Sequence, residues 1–147
     1  MLQRNIMIDR ISRDKLALAL RRYVSGKITN DELDDLEINY QDIAVQELHL
    51  DSWYLYDDRT EHKATGKYRV NNENKKKIAK FILFLQSNQE FLWMETSPKT
   101  ILLNIATFGY YFKNNRKKGD FDAYPFHNHK DFEKELLHPR FLQGINT

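Results

Sequence analysis

Helical hydrophobic periodicity in separate segments, capping residues at their edges and a high aromatic content predict a mainly α fold. The expected architecture is one domain over residues 1–147, with five or six helices packed around an aromatic core. Of the 147 residues, 41% are hydrophobic and 30% charged, which supplies one core and a hydrated shell. Nine Phe, eight Tyr and two Trp mean that ring packing fills much of that core. One short β-hairpin is compatible with the pattern. The alternative is an α+β domain using residues 60–70 and 89–95 as strands.

The first helix spans Arg13–Val24. Ser12 stands as its N-cap, Ile11 and Leu16 are spaced for a hydrophobic staple, and Gly26 supplies the left-handed stop. Leu16, Leu20 and Tyr23 form the buried stripe, with Arg21 and Arg22 toward solvent. A second helix starts at the capping box Thr29 and Glu32, stapled by Ile28 and Leu33. Asp31, Glu32, Asp34, Asp35 and Glu37 fall in its first turns, where each carboxylate complements the helix dipole by about 0.3–1 kcal/mol.

From Ile43 to Tyr56 apolar residues point in most directions and leave Glu47, Asp51 and Asp58 as a polar stripe, so a third, central helix is expected. Between Asp57 and Asn72, Thr65-Gly66 reads as a turn and Tyr68-Arg69-Val70 as an extended segment, the candidate hairpin. Asn71 or Asn72 caps a fourth helix carrying Ile78, Phe81, Ile82 and Leu85 and ending near Asn88. Ser97-Pro98 then opens a fifth helix to about Phe112. Its Ile101, Ile105, Phe108 and Phe112 make one stripe that Leu102 and Ala106 widen, predicting cover on several sides. Lys113 to Asp120 is loop chemistry. Asn128 caps a last short helix holding Phe132, Leu136 and Leu137, stopped by Pro139.

The absence of cysteine excludes disulfides, thiolate nucleophiles and cysteine-based metal centres and fits a reducing compartment. Arg4, Asp9 and Arg10 interrupt any secretory signal, and Ile101 to Phe112 falls short of the ~20 residues that cross a bilayer, so a cytoplasmic protein with no membrane partner is expected. No phosphate loop, nucleophile elbow or dinucleotide fingerprint is present, and no cofactor is expected.

Three groups of residues stand out. Trp53, Tyr54, Tyr56, Asp57, Asp58 and His62 form the densest mixture of aromatic, acidic and basic groups. Two carboxylates and a histidine are a candidate metal-dependent enzyme site, set against a helix end whose rings enter the core. His127, His129, Asp131 and His138 carry metal-ligand types, set against a cap-and-loop role. Lys75, Lys76, Lys77 and Lys80 oppose the dipole at the start of the fourth helix. With Lys113, Arg116, Lys117 and Lys118 they outline an anion or nucleic-acid surface, although a net charge of +2 disfavours a polyanionic partner.

The run RDKLALALRRYVSGKITNDELDD from Arg13 to Asp35, then WYLYDD, HK, YPF and DFE, resembles a family of small bacterial proteins of unknown function. That resemblance spans most of the chain and implies no activity. The sequence favours an intracellular protein–protein interaction module of inhibitor, immunity or adaptor type, leaning away from an enzyme. The tyrosines exceed what a core needs, and the acidic second helix suits a basic partner.

Overall fold

In the computed structural model, which describes residues 7–56, 59–93, 102, 105–107 and 121–137, the chain is mainly helical. The described elements are α1 (Arg10–Val24), α2 (Asn30–Asp34), α3 (Ile43–Ser52), α4 (Asn72–Gln86) and α5 (His129–Leu136). Single 3-10 turns occupy Trp53–Leu55, Gly66–Tyr68 and Phe121–Ala123.

Helix α1 starts three residues earlier than its sequence signals suggest. Asp9 is the N-cap, its carboxylate accepting from the Ser12 amide at 3.0 Å, which holds the Asp9 carboxyl below the usual carboxylate range. Ser12 is instead a buried helical residue whose hydroxyl accepts from the Asn39 amide at 2.9 Å, and Ile11 faces solvent, so no staple forms. The C-terminal stop is as expected: Gly26 lies at φ 74°, with Lys27 N–H donating to Arg22 C=O and Gly26 N–H to Tyr23 C=O. The capping box of α2 also forms, Thr29 N–H donating to the Glu32 carboxylate at 2.7 Å and Glu32 N–H to the Thr29 hydroxyl at 3.2 Å.

Helix α3 stops at Ser52 instead of Tyr56. Glu47 is buried, and Asp51 accepts a hydrogen bond from the Tyr124 hydroxyl, so these two do not form a solvent stripe. The expected hairpin over 60–70 is replaced by one bridge, Thr29 to Lys63, followed by the 3-10 turn. Gln89 to Trp93 is irregular and forms no ladder with any described segment. Phe91 and Trp93 point inward while Leu92 points out, and the Trp93 indole donates to the Pro125 and Phe126 carbonyls at 3.1 and 3.3 Å. Alternation of burial therefore exists there without a ladder, because ring packing and hydrogen bonds involving side chains hold the segment.

Helices α1 and α4 make the most extensive helix–helix contact, α3 packs against both, and α5 packs against α4. Leu16, Leu20, Leu48 and Leu85 are enclosed, and Phe84 meets Phe91 and Phe126 edge-on at ring separations of 6.1 and 5.2 Å. Arg13 and Asp42, each 1% exposed, form a fork-shaped ion pair with N–O distances of 2.6 and 3.2 Å. The remaining Arg13 amine donates to the Ser87 and Gln89 carbonyls, and Asp42 caps α3 through the Ala44 amide. One buried pair thus joins α1, the start of α3 and the chain leaving α4, with four of the five guanidinium donors engaged. Most of the fifth predicted helix, from Ser97 to Phe112, lies outside the described residues. Its Leu102 and Ile105 are helical but 66% and 67% exposed, as is Ala106, so this portion is not covered as expected. The loop from Lys113 to Asp120, His138 and Pro139 also lie outside the described residues.

Candidate binding surface on the aromatic turn

The tight turn after α3 decides the fate of the WYL segment. A 3-10 turn aligns residues three apart, so neighbours spread over all sides instead of sharing the buried face that α3 would continue. Tyr54 is 83% exposed and Trp53 49%, whereas Leu55 and Tyr56 turn back onto the core. The Tyr56 ring packs against Tyr23 at 5.1 Å, and its hydroxyl donates to the Asp34 carboxylate of α2. The turn is therefore anchored at its exit and bare at its tip. Its anchor ties it to the acidic helix, where Asp31, Glu32 and Asp35 are exposed with Glu61 nearby. Partial desolvation first, and then the charges of Glu61, Asp35 and Asp34, raise the Asp31 carboxyl above its ordinary range.

His62 lies beneath this surface. Its Nδ1 faces the Thr60 carbonyl at 2.8 Å, which only accepts, so Nδ1 carries the proton and Nε2 accepts from the Tyr23 hydroxyl at 3.1 Å. Asn30 clamps the same segment, its Oδ1 accepting from His62 N–H at 2.8 Å and its amide donating to the Thr60 carbonyl at 3.2 Å. Burial, then the charge of Asp34, pushes the Tyr23 phenol up to about 12. With both ring nitrogens engaged, His62 has no lone pair for a metal or a proton transfer unless the Tyr23 bond opens. Asp57 and Asp58 lie outside the described residues, and among the described residues no three His, Asp or Glu side chains group as a metal site.

Between the 3-10 turns Trp53–Leu55 and Gly66–Tyr68 and the start of α4 opens a cleft of about 340 Å³, whose described lining is Leu55, Tyr56, His62, Lys67, Tyr68, Arg69, Val70, Asn71 and Asn74. Of the six residues singled out from sequence, the structure brings Tyr56 and His62 to this cleft and displays Trp53 and Tyr54 outside it. The lysines at the start of α4 do not line it: Lys76 and Lys77 are exposed, and Lys77 pairs with Glu73 at 3.5 Å in a solvated i, i+4 bridge. Lys113, Arg116, Lys117 and Lys118 lie outside the described residues. The cations that do reach the cleft, Lys67 and Arg69, had no distinguishing signal in the sequence beyond their place after the Thr65-Gly66 turn.

Fold and surface together describe a mainly helical protein with an exposed aromatic turn beside an acidic helix. No helix among the described residues is long and apolar enough to cross a membrane. Comparison with family models, curated proteins and solved structures yields no match.

Proposed function

We propose that the protein works by binding, docking a basic protein partner on the turn Trp53–Leu55 and the neighbouring acidic face of α2. The observation that carries this is the joint exposure of Trp53 and Tyr54 on a turn whose exit is pinned by Tyr56 to Tyr23 and Asp34. Trp and Tyr are the residue types that most often dominate interface energetics, and a preformed mount lowers the ordering cost of using them. Exposed Asp31, Glu32, Asp35 and Glu61 supply the field that steers a basic partner. In this reading the product is a complex, as for an inhibitor, immunity or adaptor protein, and the cysteine-free chain suits a cytoplasmic site of action. The metal-dependent alternative at Asp57, Asp58 and His62 has less support because His62 is spent on Tyr23 and Thr60.

Affinity capture from native lysate with wild type and Trp53→Ala/Tyr54→Ala as baits tests it. A protein held by wild type should be lost from the double variant, with the interaction weakened by about 2 kcal/mol or more and the melting temperature unchanged. A partner retained equally by both baits, or none captured at micromolar concentration, removes the proposal.

A further inference from the structure

We infer that the cleft between the two 3-10 turns and the start of α4 binds a small organic phosphate, a dianion carried on a compact polar body. This site is separate from the docking surface and does not depend on it.

Charge is the first argument. Lys67 and Arg69 both line the cleft, and no carboxylate among the described residues does. Among the described residues Arg69 has no side-chain hydrogen bond or ion pair, and the only contact of the Lys67 ammonium is the face of the Tyr68 ring, 5.0 Å from its centroid. Two cations on the lining of one cleft, with no carboxylate beside them among the described residues, favour a doubly charged ligand over a monoanion. A guanidinium fork beside a point-charge ammonium is the usual pairing for phosphate oxygens.

Preorganisation is the second argument. The Tyr68 ring takes the Lys67 ammonium over it and stacks on the His62 ring at 3.9 Å and 14°, and His62 is itself fixed by Tyr23 and Thr60. Gly66 at φ 57° starts the turn that places both cations, with Arg69 N–H returning to the Gly66 carbonyl at 3.2 Å. The wall that carries the charge is therefore built before any ligand arrives.

Size and composition give the third. A volume of about 340 Å³ is several times that of one phosphate group and leaves room for an attached body. The Asn74 side-chain amide makes no hydrogen bond among the described residues and faces that space, so it is available for a hydroxyl of the ligand. The positive end of the α4 dipole adds to the field of the two cations.

The test is an amide NMR titration at pH 7.5, where a phosphate monoester is mostly dianionic, with glycerol 3-phosphate, inorganic phosphate and a phosphoserine peptide as probes. Glycerol 3-phosphate should bind saturably at or below about 1 mM and more tightly than the other two, shifting amides from Lys67 to Asn74. Lys67→Ala/Arg69→Ala should weaken it about tenfold or more at unchanged melting temperature, because both side chains are exposed. Lys76→Ala/Lys77→Ala and Trp53→Ala/Tyr54→Ala should each stay within about twofold of wild type. The inference is overturned by non-saturable shifts, by shifts centred elsewhere, or by equal losses in the Lys76/Lys77 control. Tighter binding of the peptide or of inorganic phosphate would overturn it as well.

Discussion

Arg13 and Asp42 show how much one side-chain pair decides. In sequence each is an ordinary surface-type residue. In the fold both are buried, and between them they satisfy an N-cap, the chain leaving α4 and one another. Breaking such a pair leaves a charge without its partner in a low-dielectric interior, so Asp42→Asn, which keeps the shape and the cap, should cost about 3 kcal/mol or more. The half-exposed pair Arg10–Asp14 at 2.8 Å is the internal comparison, and Asp14→Asn should cost under about 1 kcal/mol. Urea midpoints of the two variants check both figures. Equal losses would mean that burial of the Arg13–Asp42 pair is not what gives it weight.

Elements end where backbone conformation and space together force them to. Gly26 and Gly66 both sit at positive φ, 74° and 57°, yet they differ in what a side chain would meet. A Cβ at Gly26 would fall 2.8 Å from the Thr65 methyl, whereas at Gly66 nothing lies within 4 Å. Gly66→Ala should therefore cost only the conformational strain, about 1 kcal/mol. Gly26→Ala should cost measurably more, and Thr65→Ser, which deletes the obstructing methyl, should recover part of the difference. A double-mutant cycle by chemical denaturation reads this directly. No coupling between positions 26 and 65 would show that strain alone governs the end of α1. The same logic explains why α3 yields to a 3-10 turn. Continuing it as an α-helix would serve Trp53 and Tyr54 only if there were a face for them to pack on, and the core behind is already filled by Leu55, Tyr56 and Tyr23.

For the whole molecule the interior tyrosine sets an alkaline limit. Burial raises the Tyr23 phenol from 10.0 to about 12. In that window the unfolded chain has released a proton that the folded chain still holds. Stability is therefore fully present below pH 10 and is lost as pH rises toward 12, by about 1.4 kcal/mol per pH unit. Tyr40 is raised in the same direction by burial, then by Asp34, and adds to the fall. Denaturation midpoints across this range should drop in wild type and drop less steeply in Tyr23→Phe. That variant also starts lower by about 1–3 kcal/mol because the His62 Nε2 loses its donor. An unchanged slope in Tyr23→Phe would assign the alkaline loss to other groups.

Local chemistry was legible in the sequence wherever the cause is itself local. The capping box at Thr29 and Glu32, the Gly26 stop, the Asn71 and Asn128 caps and the apolar face of α4 depend on residues within one or two turns, so spacing alone determined them. Composition likewise determined a helical fold on an aromatic core, since ring content and helical period survive any arrangement of the helices. Partnership across the chain was not legible. Ser12 reads as a cap by its neighbours but is drawn into the core by the Asn39 amide, 27 residues on. Glu47 reads as solvent-facing but is buried, and the strand-like alternation of Phe91 and Trp93 finds no second strand to pair with. The candidate sites follow the same division. The density of rings and charges from Trp53 to His62 marked the region, while only tertiary structure decided which rings stay bare and which histidine nitrogens are spent. It also decided that Lys67 and Arg69, not the lysines at the start of α4, face the cleft. Those outcomes rest on contacts between segments 20 to 40 residues apart, such as Tyr56 with Asp34 and Tyr23 with His62, which periodicity within a segment does not encode.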